Sequence, residues 1–235
     1  MSNVSCVMIT GTSRGLGEAL AEAYLAEGEL VLGCSRGAAT IRHPNYQHFS
    51  LDMSDELSIS NMFADLRARK LVPRLLVNNA GLPQKSLATL TSAQAAKQIL
   101  EVNLLGTFFV CREALKVMQR HQFGRIVNLC SINVPLASVG SSLYNATKAG
   151  LDAMGHALAN ECKDYDITVN SIGLSLVANT GMAESLTELA IASKQKHLLK
   201  PKLLETTEIL ATINFFASTE ARNITGQLLY FGGVR

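Results

Sequence analysis

"CVMITGTSRGLGEALAEAYLAEGELVLGCS", residues 6–35, decides the fold. Its two ends, "CVMIT" (6–10) and "ELVLGCS" (29–35), are short apolar runs rich in Val, Ile and Leu, as buried strands are. Between them, "GLGEALAEAYLAEG" carries apolar residues at helical spacing. The unit is therefore β-α-β. The junction of strand and helix, "TGTSRGLG" (10–17), is rich in glycine: Gly11, Gly15 and Gly17 permit a tight turn and a close backbone approach, and the helix start offers unpaired N–H groups to a diphosphate. A glycine-rich turn without a ligand is the bland reading, but the position at the first strand-to-helix junction favours nucleotide binding.

Working outward, the alternation continues. "YQHFSLD" (46–52), a helix near 55–70, "RLLVNNA" (74–80), a helix from about 92 through 120 and "RIVNLCS" (125–131) follow in order. "SLYNATKAGLDAMG" (142–155) begins a long helix ending near Asp164. Then come "ITVNSIG" (167–173), a less regular stretch to about 204, a helix near 205–218 and "QLLYFGG" (227–233). This order predicts an α/β fold, a doubly wound seven-stranded parallel sheet with helices on both faces, in one domain over 1–235. The motifs fall mostly at the carboxyl ends of strands, where such a sheet binds ligands.

Composition narrows the class further. Lys+Arg of 21 against Asp+Glu of 19 leaves a formal net charge of +2, so nothing favours nucleic acid or an anionic membrane as partner. The five cysteines (Cys6, Cys34, Cys111, Cys130, Cys162) form no C-x-x-C pair, which argues against a disulfide framework and against a metal site, and for a reducing compartment. No leader-like segment or uninterrupted apolar run of about 18 residues is present, so a soluble cytoplasmic protein is expected.

Tyr144 and Lys148 lie at i and i+4 of the predicted helix, on one face. Alone the pair carries little weight, because such spacing recurs by chance in amphipathic helices. Other residues add to it in order: "NNAG" (78–81), Asn103 in "EVNLLGTF", and Ser131 thirteen residues before Tyr144. With T-G-x-x-x-G-x-G at the first turn and Y-x-x-x-K at 144–148, the whole chain resembles the short-chain dehydrogenase/reductase family, nearest to 3-oxoacyl-thioester reductases among ketone reductases.

The resemblance implies a Rossmann fold and a catalytic set of Asn103, Ser131, Tyr144 and Lys148. Carbonyl reduction needs hydride at carbon and a proton at oxygen; a free phenol, with a pKa near 10, is a sluggish donor, and a nearby cation such as Lys148 favours phenolate. In the family pattern Lys148 also holds the nicotinamide ribose, Ser131 bonds the substrate oxygen, and Asn103 helps hold a relay water. Taken singly, each could have a structural role: Ser131 a loop cap, Asn103 a partner for buried backbone.

The same pattern places the dinucleotide on Gly11, Thr12, Ser13, Arg14, Gly15, Leu16 and Gly17, the adenine by Asp52 and Met53, and the adenosine ribose by Asn79, Ala80 and Gly81. Thr180 is expected at the carboxamide or phosphate, and Tyr144 and Lys148 at the nicotinamide ribose. Asp52 could equally be the N-cap of the next helix. The cofactor expected is NADP(H): the second strand ends "LGCSRG" without the acid that bonds ribose hydroxyls in NAD sites, and Arg36 and Arg14 could clamp a 2′-phosphate.

Two departures stand out. Where the family reads N-x-x-x-P-G, this chain has "NSIGLS", with Leu174 and Ser175 replacing Pro-Gly, which puts the nicotinamide-side turn in question. "YFGG" lacks the acid often found before the paired glycines, a change expected to affect local packing. The stretch from about 174 to 204 is the expected substrate lid; its Lys194, Lys196, His197, Lys200 and Lys202 are either a solvated face or a surface for an anionic carrier. Leu136, Ala137, Val139 and Leu143 favour a substrate with an apolar part. The expected substrate is a small-molecule or carrier-bound carbonyl; a sugar, steroid or small-alcohol dehydrogenase and a dinucleotide-sensing protein without turnover are the alternatives. Surplus apolar residues near 100–120 and 144–163 predict a homodimer or homotetramer.

Overall fold

The computed structural model describes residues 3–84, 86–178, 180 and 187–233. Seven parallel strands, β1 (Val4–Thr10), β2 (Val31–Ser35), β3 (Tyr46–Ser50), β4 (Leu71–Asn78), β5 (Phe123–Ser131), β6 (Asp166–Leu174) and β7 (Leu228–Tyr230), form one sheet in the order β3-β2-β1-β4-β5-β6-β7. The helices are α1 (Gly15–Ala26), α2 (Glu56–Ala68), α3 (Ala93–Leu100), α4 (Gly106–His121), α5 (Ser142–Glu161), α6 (Glu188–Gln195) and α7 (Thr206–Ala217). The strand order reverses between β1 and β4, and this reversal opens the ligand crevice at the carboxyl edge.

Two apolar layers hold the helices to the sheet, as the near-continuous hydrophobic strands require. Ile59, Phe63 and Leu66 of α2, Val110, Ala114 and Met118 of α4, and Leu158 of α5 pack with Met8, Leu76 and Ile126 on one face. Leu20 and Tyr24 of α1 and Ile209, Ile213 and Phe216 of α7 pack with Ile9, Val77 and Val127 on the other. Tyr24 also donates to Asn214 Oδ1 at 2.7 Å, tying α1 to α7.

Four elements differ from the sequence expectation, each for a visible reason. The helix expected over 92–120 is interrupted by a π-helical turn, Glu101–Leu105, between α3 and α4. Asn103 on that turn is drawn inward: its Oδ1 accepts from Leu82 N at 2.7 Å and its Nδ2 donates to Leu82 O at 2.9 Å. β7 stops at Tyr230 because Gly232 and Gly233 take positive φ and give their carbonyls to Lys200 N and Leu199 N. The predicted lid contains α6, and its base is closed by Ala178 N donating to Leu204 O and Leu204 N to Leu176 O. Residues 179 and 181–186 of that lid, and the side chain of Lys194, lie outside the described residues. Finally, α2 is capped by Asp55, whose Oδ1 accepts from Leu57 N and Ser58 N; Asp52, read from the sequence as an adenine contact or alternatively a cap, accepts from Ser54 N and Ser54 Oγ.

Candidate active site

At the crevice, the ends of β1 and β4 are stitched together. Thr10 Oγ1 accepts from Asn79 N and Ala80 N, both at 3.0 Å, while Asn79 Nδ2 donates to Thr10 O at 2.8 Å and Gly11 O at 3.1 Å. Gly11 has φ +76° and Gly15 +60°, the left-handed region in which glycine alone is unstrained. A Cβ at Gly17 would overlap Gly11 O and Asn79 Nδ2. Arg14, at the N-cap of α1, has extended backbone and no capping side chain, so the first-turn N–H groups of the helix are left for an anion. This cradle fits the diphosphate of a dinucleotide.

The other expected dinucleotide residues lie in the turn after β1 or in the segments that follow β2, β3 and β6. Arg14 and Arg36 are exposed, and neither forms an ion pair among the described residues. Met53 is buried beside Asp52, whose carboxylate closes the turn with Ser54. Thr180 Oγ1 donates to Val177 O at 2.8 Å, and the Cβ position of Gly15 lies 4.0 Å from Thr180 Cβ. The Ser175 hydroxyl, just past the end of β6, is buried without a partner among the described residues. Ser13 and Leu16 flank the turn and are half-buried.

The four expected catalytic residues are all buried: Ser131 at the end of β5, Asn103 on the π-turn, and Tyr144 and Lys148 on α5. Lys148 Nζ donates to Leu129 O of β5 at 2.6 Å and lies 5.8 Å from the Tyr144 ring centre. Ser131 Oγ, at the end of β5, accepts from Asn133 N at 3.1 Å. A Cβ on Gly81 would stand 3.4 Å from Asn103 Oδ1 and 3.6 Å from Lys148 Nζ, so the end of "NNAG" reaches the ammonium. Thr147 Oγ1 donates to Tyr144 O at 2.7 Å and accepts from Asn103 Nδ2 at 3.2 Å, joining the π-turn to α5.

Sequence reasoning missed three contributors. Thr147 is one, and Gln84, after β4, is another: its Oε1 accepts from Leu143 N at 2.7 Å and Tyr144 N at 3.2 Å. The third is the pair Tyr46 and His48 on β3, hydrogen-bonded to Thr12 of the glycine turn and to the turn after β2. No local pattern marks them, since each acts on a segment distant in sequence. Near the start of α5 an open cleft is lined by Val134, Ala137, Val139 and Gly140 together with polar Ser138, Ser142 and Asn145, and Leu87, Leu90 and Val139 are exposed in the segments around it. Of the basic lid residues, Lys196, His197, Lys200 and Lys202 are exposed, while Leu198 between them is buried.

A parallel sheet with this strand order, a glycine turn at β1 and a buried Tyr-Lys pair on the helix after β5 define the doubly wound class of dinucleotide-binding proteins. The short chain dehydrogenase family model matches residues 5–190, and the chain belongs to that family of oxidoreductases. It is 31% identical to the 3-oxoacyl-acyl-carrier-protein reductase FabG of Salmonella typhimurium, and equally to that of Escherichia coli strain K12, over 96% of this chain and 95% of each relative. Among solved structures, a proposed gluconate dehydrogenase from Agrobacterium tumefaciens superposes with a TM-score of 0.88 at 26% identity, covering 98% of this chain and 94% of that one. A short chain dehydrogenase of Leptospira borgpetersenii with bound NAD+, 21% identical, shares the fold at a TM-score of 0.88 over 99% of this chain and 93% of its own.

Proposed function

We propose that this protein is an NADPH-dependent reductase that converts a ketone, free or carried as a 3-oxoacyl thioester, to a secondary alcohol. The observation that carries the reading is the buried Tyr144-Lys148 pair, with Lys148 Nζ bonded to Leu129 O two residues before Ser131 on β5 and Asn103 bonded to Thr147 of the same helix. Bound NADPH supplies the hydride. Ser131 orients the carbonyl oxygen, Tyr144 gives it a proton, and the Lys148 ammonium favours the phenolate left behind. Asn103, bonded to Leu82 and Thr147, keeps the π-turn against α5 and so orders the proton path to Lys148.

Each expected binding residue has a place in this reading. Gly11 to Gly17 cradle the diphosphate, Asp52 and Met53 border the adenine, and Asn79 to Gly81 wall the adenosine ribose. Thr180 and Ser175 serve the carboxamide side, where Ser175 adds a side-chain hydroxyl that Pro-Gly would not have. Arg14 and Arg36 favour NADPH, because no acid at the end of β2 repels a 2′-phosphate. The names of the FabG relatives and the apolar side chains of Val134, Ala137 and Val139 in the cleft support an acyl substrate held on a carrier. The segment 174–204 acts as a lid on that substrate, and the five free, buried thiols suit a reducing cytoplasm.

Exposed Leu100, Leu105 and Phe108 on the α3-to-α4 segment, with exposed Ala146, Ala149, Ala153 and Ala157 along α5, support assembly into a homodimer or homotetramer. The test of function is NADPH oxidation, followed by absorbance, against β-ketothioesters, simple ketones, sugars and steroids. Turnover of a β-ketothioester is expected; dinucleotide binding without turnover of any carbonyl would favour a sensor instead.

A further inference from the structure

Behind the Arg36 turn runs a chain of hydrogen bonds that the catalytic reading does not use. Thr12 Oγ1 lies 2.8 Å from Tyr46 Oη, which lies 3.0 Å from His48 Nδ1. His48 Nε2 lies 3.0 Å from Gly37 O and 3.2 Å from Ser35 Oγ. The chain thus joins the glycine turn to the two residues that flank Arg36. Gly33 of β2 makes room for it, since a Cβ there would overlap Tyr46 Oη.

Chemistry gives the chain a direction. Gly37 O only accepts, so His48 Nε2 carries a hydrogen. In the neutral ring Nδ1 must then accept, so Tyr46 donates to His48 and Thr12 donates to Tyr46. If Nδ1 takes up a proton from solvent, the two links on its side reverse, while Nε2–H still donates to Gly37 O: Nδ1–H donates to Tyr46, and Tyr46 donates to Thr12. Burial raises the Tyr46 pKa, with the Thr12 hydrogen bond opposing it, so Tyr46 stays neutral in both arrangements. The other titratable or charged groups around the chain are Cys34 on β2, Glu18 on α1, Arg36 in the turn, and Arg42 and His43 ahead of β3, with His43 Nδ1 turned to Asn45 N. An imidazolium against the Arg36 turn adds like charge there, which a phosphate in the turn would offset.

We propose that His48 is a specificity-determining residue of the dinucleotide site, and that a 2′-phosphorylated cofactor binds together with a proton on His48. This rests on the reading of Arg36 as a 2′-phosphate ligand. NADPH then gains a cation that NADH cannot use, and its advantage shrinks as pH rises and the imidazole stays neutral.

Calorimetry of NADPH and NADH binding near pH 7, in buffers of different ionisation enthalpy, counts the protons taken up. Wild type should take up several tenths of a proton more per NADPH than His48→Gln, and the two should match for NADH; comparison with the variant removes the titration of the phosphate itself. The wild-type advantage over His48→Gln in NADPH affinity should fall about three- to tenfold between pH 6.5 and 8.5. His48→Asn, which also removes the titrating ring, should lose the extra proton as well and serves if His48→Gln fails to fold. Equal proton uptake by wild type and the variants, with NADPH still preferred, overturns the proposal alone. Equal wild-type Kd values for NADPH and NADH at every pH overturn the cofactor reading, and the proposal with it.

Discussion

Gln84 caps the helix that carries Tyr144. Its side-chain oxygen accepts from Leu143 N and Tyr144 N in the first turn of α5, where Ser141, the N-cap residue, gives no side-chain bond. The amide nitrogen of Gln84 in turn donates to Ser86 O at 2.9 Å and Thr91 Oγ1 at 3.2 Å, so the cap is itself held. Gln84→Ala leaves two first-turn N–H groups without that acceptor, a loss of about 1 kcal/mol in stability. Because the loosened turn holds the Tyr144 ring, kcat is expected to fall about tenfold with the Kd of NADPH unchanged. Gln84→Glu, which keeps an acceptor, should recover part of it. An unchanged kcat in Gln84→Ala would mean that the cap only stabilises the helix.

Tyr144→Phe keeps the ring that packs beside Lys148 and removes the proton donor. Turnover should drop by roughly 10²-fold or more while cofactor binding changes little. Lys148→Ala should damage both. Steady-state kinetics with a fluorescence titration of NADPH separates the two effects, and a Tyr144→Phe enzyme keeping a third of wild-type kcat would remove Tyr144 from the mechanism.

Gly17→Ala is expected to be far more harmful than its small size suggests. The added methyl meets Gly11 O and the Asn79 amide that clamps the glycine turn to β4, so the turn must open. NADPH affinity should fall by about tenfold or more, with a loss of about 1–3 kcal/mol in stability from overpacking. Retention of wild-type Kd would show that the dinucleotide does not depend on this turn.

Burial pushes the thiols of Cys34 and Cys162 up to about 11 and those of Cys6 and Cys111 to about 12. In the unfolded chain a thiol ionises near about 8.5, so above that pH the unfolded state binds fewer protons than the folded one, and stability falls as pH rises toward 11. Tm should therefore decline from pH 8.5 upward. Cys111→Ala is expected to lower Tm at pH 8 through lost packing but to flatten the decline. An alkaline slope identical in the variant would exclude this thiol as a source.

The exposed Leu105 and Phe108 predict assembly through the π-turn and the start of α4. Multi-angle light scattering at micromolar concentration should report a multiple of 25.3 kDa, and Phe108→Glu should shift it toward the single chain. A wild-type protein that runs only as the single chain would refute this.

The order of elements and the pairing of Tyr144 with Lys148 on one buried helix face were legible in the sequence by itself. Strands of Val, Ile and Leu and helices with a repeating apolar face are local patterns, and seven of the one alternating with the other leave little choice but a covered parallel sheet. Tyr144 and Lys148 were equally readable, since four residues on a helix suffice to put them on one face. Tertiary structure alone decided what holds them. Gln84 reaches α5 only because β4 and β5 are neighbours in the sheet, and Asn103 turns inward only where Leu82 offers both its N–H and its C=O. The choice of Asp55 over Asp52 as the cap of α2, the formation of α6 within the lid, and the link from Thr12 through Tyr46 to His48 are of the same kind. Local propensity reads the period of a segment, but a hydrogen bond between distant segments exists only once packing has brought a donor to its acceptor, and no short window of sequence contains both.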